Sequence, residues 1–135
     1  MNRIEEIIKK SGFYCAPVHG MSMYPLLKNH RDSVYITKPE GLKKYDVVLF
    51  RRSNNQLVLH RILKLTGDTA VMCGDNEYKK EIIEQKQIIG KMTEFCRNGK
   101  VIKISNLWYR LYTHCFCFSF KTKRLLMYAY GFFTK

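Results

Sequence analysis

The feature that most constrains the fold is a succession of short β-rich runs, separated by turn signals, between residues 33 and 104. Clusters of Gly, Pro, Asn, Asp and Ser separate the runs, and tight connections of this kind favour antiparallel pairing. Arg97-Asn98-Gly99 predicts a hairpin between the last two runs. The runs are Ser33 to Thr37, Asp46 to Arg51, Leu57 to Leu65, Thr69 to Cys73, Ile88 to Phe95 and Lys100 to Ile104.

The two ends of the chain carry helical patterns instead. Ile4, Ile7 and Ile8 recur at helical spacing, and Gly12 can end such a helix. Ten of the 18 aromatic side chains lie in residues 107–135, with apolar residues at helical steps. We therefore predict a mainly β, compact antiparallel domain at residues 1–105 with a short N-terminal helix, followed by a basic aromatic helical tail at residues 106–135.

Composition excludes several classes of protein. The chain is 46% hydrophobic and 26% charged, which excludes intrinsic disorder and collagen. Its five cysteines are odd in number and do not form two close doublets, so neither a disulfide framework nor a zinc site is indicated, and no cofactor is expected. No stretch reads as a secretory signal or as a membrane span. The expected location is cytoplasmic, with peripheral contact to the inner face of the membrane as an option.

The formal net charge of +13 is unevenly distributed along the chain. All 11 acidic residues lie at or before Glu94, whereas residues 95–135 hold eight basic residues and no acid. Such asymmetry favours an anionic partner. Interfacial helices would place Trp108 at the headgroups and Lys121, Lys123 and Arg124 on phosphates. Packing of the same tail against the β body or a partner chain fits the pattern equally well, and DNA is not the expected partner.

Two residues suggest nucleophilic chemistry. Ser22 lies between Gly20 and Pro25, where a sharp turn can present its hydroxyl to a groove. A serine needs a base within hydrogen-bond reach, and His60 interrupts the apolar run Leu57 to Leu63. By strand alternation His60 and Arg61 point to opposite faces, and either could be the buried one. A purely structural histidine also fits.

Four ordered segments resemble the conserved boxes of the signal peptidase I and LexA superfamily of serine peptidases. They cover roughly residues 13–95, and the Ser-Met-x-Pro and Gly-Asp-Asn segments are the specific ones. The segments are Gly20-Met21-Ser22-Met23-Tyr24-Pro25, Tyr45-Asp46-Val47-Val48-Leu49-Phe50, Leu59-His60-Arg61-Ile62 and Gly74-Asp75-Asn76. The resemblance implies a compact, mostly antiparallel β fold with a serine nucleophile. Lysine is the matching base in bacterial signal peptidases and LexA-type proteins, so His60 resembles the Ser/His branch of the endoplasmic reticulum and archaea.

The resemblance assigns roles to three residues. Ser22 is the nucleophile, His60 the general base, and Asp75 the carboxylate that orients His60. The Ser22 backbone N–H is the expected oxyanion donor. Bacterial signal peptidases often carry a hydroxyl donor two residues before the nucleophile, where this sequence has Gly20, so a side-chain contribution is not expected.

Other residues near the boxes leave alternatives open. Asp68 could replace Asp75 as the partner of His60, although its position favours a turn role. Either His19 or His30 could be the base. Arg61 is expected to pair with a carboxylate in a structural role. Tyr45, where relatives commonly have glycine, is interpreted as a benign change.

These features predict a serine endopeptidase that cleaves a peptide or leader sequence through an acyl-enzyme. Cleavage at small residues is implied by the resemblance alone. A LexA-like DNA-binding regulator is disfavoured, because only about 20 residues precede Ser22, too few for a helix-turn-helix domain. The remaining alternative is a catalytically silent module that binds membrane or nucleic acid through its basic tail.

Overall fold

The computed structural model describes residues 3–117, which form one antiparallel sheet flanked by two helices. The elements in chain order are α1 (Arg3–Ser11), β1 (Phe13–Pro17), β2 (Ser33–Thr37), β3 (Val47–Arg51), β4 (Leu57–Thr66), β5 (Thr69–Cys73), β6 (Glu81–Glu84), a 3₁₀ turn (Gln85–Gln87), β7 (Ile88–Arg97), β8 (Lys100–Lys103) and α2 (Leu107–Cys117). The predicted mainly β fold with a helix at each end is confirmed.

Strand order in the sheet is β1-β2-β7-β3-β4-β5-β6, and β8 also pairs with β7. The predicted β7–β8 hairpin forms, with Asn98 and Gly99 both at positive φ, 52° and 84°. Positive φ at both positions is the geometry that favours Asn-Gly in tight hairpins. Strand β6, absent from the sequence prediction, pairs with β5 and carries Glu81 at its first position.

Two apolar clusters form the core. The larger one joins α1, the loop after β1, the centre of the sheet and α2. The smaller one lies among β3, β4, β5 and the start of β7. The fully buried members include Leu27, Ile36, Val48, Phe50, Ile62 and Met72. At about 1.5–3 kcal/mol for each large apolar side chain removed from water, these clusters are the main favourable contribution to folding.

Both faces of strand β4 are covered. His60 and Arg61 point to opposite faces, yet their exposed fractions are only 3% and 1%. Alternation predicted the opposite orientations and left open which residue was buried. Both residues are buried, because other parts of the protein pack on each face of the sheet at this point.

Candidate active site

Ser22 lies on the loop between β1 and β2, which is held by a polar contact within the loop and by contacts from Asn76. Gly20 has φ of 83°, and its N–H donates to Asn29 Oδ1 at 3.1 Å. The Asn76 backbone N–H donates to the Ser22 carbonyl at 2.8 Å, and Asn76 Nδ2 donates to the Met21 carbonyl at 3.0 Å. The Gly-Asp-Asn segment therefore supports the serine loop through Asn76.

His60 enters the same region from β4. Its ring is buried and contacts the Phe50 ring edge-on, with centroids 5.9 Å apart. Burial lowers the pKa of His60 below 6.5, and the negative charges of Glu77 and Glu81 oppose that shift only in part. The imidazole is therefore neutral at pH 7, which is the form that accepts a proton.

The backbone of Gly74 brings the two groups together. A Cβ atom at this residue would lie 2.5 Å from the Ser22 carbonyl oxygen, 2.9 Å from Glu77 Oε1 and 3.2 Å from His60 Cδ2. Ser22 and His60 also line one cavity of about 460 Å³. Glycine at position 74 thus permits a close approach that any side chain would prevent.

The catalytic contact itself is not formed in this structure. Within residues 3–117 the Ser22 hydroxyl makes no hydrogen bond, and neither does its backbone N–H. A free N–H beside the nucleophile leaves the expected oxyanion donor available. Hydrogen bonds between catalytic groups are often long or absent until substrate binds.

The carboxylates that face His60 come from Glu77 and Glu81. Glu77 Oε1 lies 3.1 Å from Nε2, and Glu81 Oε1 lies 3.5 Å from Nδ1. The expectation that Asp75 orients His60 is not met, because Asp75 is engaged on the other side of the sheet. Asp68 does not replace it, since it lies exposed in the turn between β4 and β5.

Asp75 instead forms a buried ion pair with Arg61. Arg61 Nε and Nη2 donate to the two carboxylate oxygens at 2.8 Å each, and the Tyr112 hydroxyl donates to Oδ2 at 2.7 Å. Arg61 Nη1 donates to the Tyr45 carbonyl at 2.8 Å and to the Tyr109 hydroxyl at 3.2 Å. The expected pairing of Arg61 with a carboxylate is present, and helix α2 covers it.

Over residues 107–114, helix α2 packs against the body through one side and exposes the other. Tyr109 is buried and contacts Phe95, with ring centroids 5.3 Å apart. Trp108 is 78% exposed, and Leu107 and Leu111 are exposed beside it. Lys121, Lys123 and Arg124, which the sequence predicted to bind phosphates, lie outside the described residues. Among residues 3–117 no helix is long and apolar enough to cross a membrane.

Tyr45, which the sequence analysis interprets as a benign change, lies in a turn before β3 at positive φ. Its φ is 76°, in the left-handed region where glycine is unstrained and a side chain costs about 1 kcal/mol or more. Tyr45 is held there by its N–H, which donates to the Ile62 carbonyl at 2.7 Å, and by its carbonyl, which accepts from Arg61.

The two other candidate bases, His19 and His30, are exposed on the loop before β2. Their rings meet edge-on at 6.4 Å, and His19 lines the Ser22 cavity. Neither has the buried setting of His60.

Sequence reasoning missed Glu77, Glu81, Arg52 and Tyr112. Glu77 follows Gly74-Asp75-Asn76 directly, so its proximity to the box was the one available signal.

Comparison with known proteins identifies the domain. Residues 3–93 match the family model described as Peptidase S24-like, and this range contains Ser22, His60, Gly74, Glu77 and Glu81. No curated protein matches the chain. In the described part of the chain no cluster of His, Cys, Asp and Glu could hold a metal ion. With its mainly antiparallel β fold and a match over more than half its length, the chain belongs to the Peptidase S24-like family.

Proposed function

We propose that this protein is a serine endopeptidase that cleaves a peptide or leader sequence through Ser22 and His60. The observation that carries the proposal is that Ser22 and His60 line one cavity of about 460 Å³, with the backbone of Gly74 close to both residues. Membership of a peptidase family supports a protein or peptide substrate. Histidine at position 60 favours the Ser/His branch of the superfamily that the sequence resembles.

The chemistry follows from the groups present. His60 takes the proton from the Ser22 hydroxyl as Oγ attacks the carbonyl carbon of the scissile bond. The carbonyl oxygen becomes an oxyanion, which the free Ser22 N–H can stabilise. His60 then passes the proton to the leaving amine as the C–N bond breaks, and water hydrolyses the resulting acyl-enzyme by the same steps. Neutral His60 suits the first step without the large pKa shift that a lysine base would need.

The test is labelling by a serine-reactive fluorophosphonate together with hydrolysis of a peptide library. We expect wild-type protein to react at Ser22, and Ser22→Ala and His60→Ala to lose labelling and hydrolysis. Ser33→Ala, a change in strand β2, is the matched control. Labelling that persists in Ser22→Ala would exclude Ser22 as the nucleophile.

The exposed side of α2 favours a second role, peripheral binding to anionic membrane. Leu107, Trp108 and Leu111 are exposed apolar residues of α2, and in the sequence this helix precedes a segment rich in basic residues. We expect Trp108→Ala with Leu111→Ser to reduce sedimentation with vesicles that contain phosphatidylserine, while labelling of Ser22 is retained. Equal sedimentation of the double variant and wild type would remove the membrane role.

A further inference from the structure

His60 faces two carboxylates, one at each ring nitrogen. Nε2 lies 3.1 Å from Glu77 Oε1, and Nδ1 lies 3.5 Å from Glu81 Oε1. Nδ1 is buried and has no hydrogen bond in the described chain. A buried polar atom without a partner needs an explanation, because leaving it unpaired costs about 1–3 kcal/mol.

The explanation lies in the number of protons on a neutral imidazole. A neutral ring has one N–H, so it can donate to only one of two carboxylates, and its other nitrogen presents a lone pair. The 3.1 Å contact places the N–H on Nε2, toward Glu77, which leaves the Nδ1 lone pair against Glu81. To act as a base through Nε2, the ring must instead carry its proton on Nδ1. In that tautomer Glu81 is the carboxylate placed to accept a hydrogen bond from Nδ1–H.

The two glutamates are held differently. Arg52 Nη2 and Nε donate to Glu81 Oε1 and Oε2 at 2.8 and 3.1 Å, and this pairing lowers the pKa of Glu81. Strand β6 fixes its backbone. Glu77 lies in the segment between β5 and β6, and its side chain is 39% exposed. In the described residues its carboxylate has no hydrogen bond or ion pair other than the one with His60. Glu81 is therefore fixed, and Glu77 is free to move into solvent.

Glu77 also lies at the edge of the ring that is close to the Ser22 backbone. His60 Cδ2, which is bonded to Nε2, lies with Glu77 Oε1 and the Ser22 carbonyl around the Gly74 backbone. For a serine hydroxyl to bind Nε2, the Glu77 carboxylate that lies 3.1 Å from this nitrogen has to be displaced.

On the basis of the proposed peptidase function, we propose that Glu81, fixed by Arg52, is the positioning residue that accepts a hydrogen bond from Nδ1–H of His60. Glu77 binds Nε2 in the resting state and leaves when the Ser22 hydroxyl binds there. The resting contact keeps the base engaged until substrate fills the cavity. In the active arrangement Ser22 Oγ–H donates to Nε2, and Nδ1–H donates to Glu81. When Nε2 takes the serine proton, the resulting imidazolium is stabilised by Glu81.

Matched alanine variants separate the two roles. We expect Glu81→Ala to lower the rate of Ser22 labelling at least about 10-fold, since base catalysis as a whole contributes about 10²- to 10⁴-fold. Glu81→Gln should recover part of that rate, because the glutamine amide oxygen can still accept a hydrogen bond from Nδ1–H. Glu77→Ala should label faster than wild type, because no carboxylate then has to leave Nε2 before Ser22 binds there. The control is Glu84→Ala, whose partner is the exposed Lys86.

A second readout does not depend on activity. In ¹⁵N NMR above the pKa of His60, we expect the Nε2–H tautomer in wild type and in Glu81→Ala, and the Nδ1–H tautomer in Glu77→Ala. Glu77, Glu81 and Arg52 are the charged groups whose fields reach the ring. Because either glutamate variant removes a negative charge, the pKa of His60 should fall in both and stay unchanged in Glu84→Ala.

Two results would overturn the assignment: equal losses of labelling in Glu77→Ala and Glu81→Ala, or an Nε2–H tautomer that persists in Glu77→Ala. Failure of the peptidase function itself would look different. Wild-type protein would then be unlabelled at Ser22, while the tautomers would still report which glutamate holds the ring.

Discussion

Substitution of Asp75 tests whether this residue supports the structure or the chemistry. The sequence resemblance assigns Asp75 to His60, but its carboxylate accepts three hydrogen bonds of 2.7–2.8 Å from Arg61 and Tyr112. Both members of the ion pair are at most 2% exposed. Asp75→Asn would leave the Arg61 charge buried without its counterion, and breaking such a pair costs about 3–5 kcal/mol.

That cost is large against a total stability of about 5–15 kcal/mol for a domain. We therefore expect Asp75→Asn to unfold at a much lower urea concentration than wild type. Tyr112→Phe removes a single hydrogen bond to a charged group and should lose about 1.5–3 kcal/mol. Asp68→Asn, at an exposed turn position, should stay within about 0.5 kcal/mol of wild type. The assay is urea unfolding followed by circular dichroism, with fluorophosphonate labelling measured on the folded fraction.

The decisive comparison is between stability and labelling. If Asp75 acts through structure, Asp75→Asn and Tyr112→Phe lose stability in that order, and molecules that remain folded still label at Ser22. An Asp75→Asn protein of wild-type stability that no longer labels would refute this reasoning and return Asp75 to the catalytic group.

Two further substitutions test close approach and backbone strain. Gly74→Ala places a Cβ about 2.5 Å from the Ser22 carbonyl oxygen, and Gly90→Ala places one about 2.5 Å from the Thr37 carbonyl oxygen. Both variants should therefore unfold at a lower urea concentration than wild type. Only Gly74→Ala should slow labelling of the folded protein. Equal labelling rates would show that Gly74 does not shape the site. The free energy of unfolding of Tyr45→Gly should be within about 1 kcal/mol of the wild-type value or higher, because glycine tolerates the φ of 76°. A larger loss in the same assay would show that the contacts of the Tyr45 side chain stabilise the protein more than its backbone strain destabilises it.

The sequence predicted most of the sheet because hydrophobic alternation and turn residues are local signals. Strand β5 was predicted at its exact bounds, and the β7–β8 hairpin followed from Asn98 and Gly99. Strand β6 was missed because four residues with charged ends, Glu81 to Glu84, carry too weak a pattern on their own. It forms by pairing with β5, a contact that the local sequence does not encode.

The site was harder to predict because its partners are set by tertiary packing. The four conserved-box segments predicted that Ser22 and His60 would share a site, and both residues line one cavity. These segments could not show which carboxylate faces the histidine, since Asp75 and Glu77 are two residues apart on a turn and point to opposite sides of the sheet. Nor could alternation show that Arg61 is buried, because Tyr109 and Tyr112 cover it from about 50 residues away in sequence.

Strand β4 connects the buried Arg61–Asp75 ion pair to the candidate base His60. His60 faces the cavity, and the next residue, Arg61, anchors Asp75 on the opposite face. Asp75 in turn lies between Gly74, which admits Ser22 and His60, and Asn76, which holds the Ser22 carbonyl. Because Tyr112 completes this ion pair from α2, beyond the matched residues 3–93, the helix stabilises the turn on which the serine loop rests. Loss of α2 should therefore loosen the Ser22 loop, even though none of the helix residues 107–114 lines the cavity around Ser22.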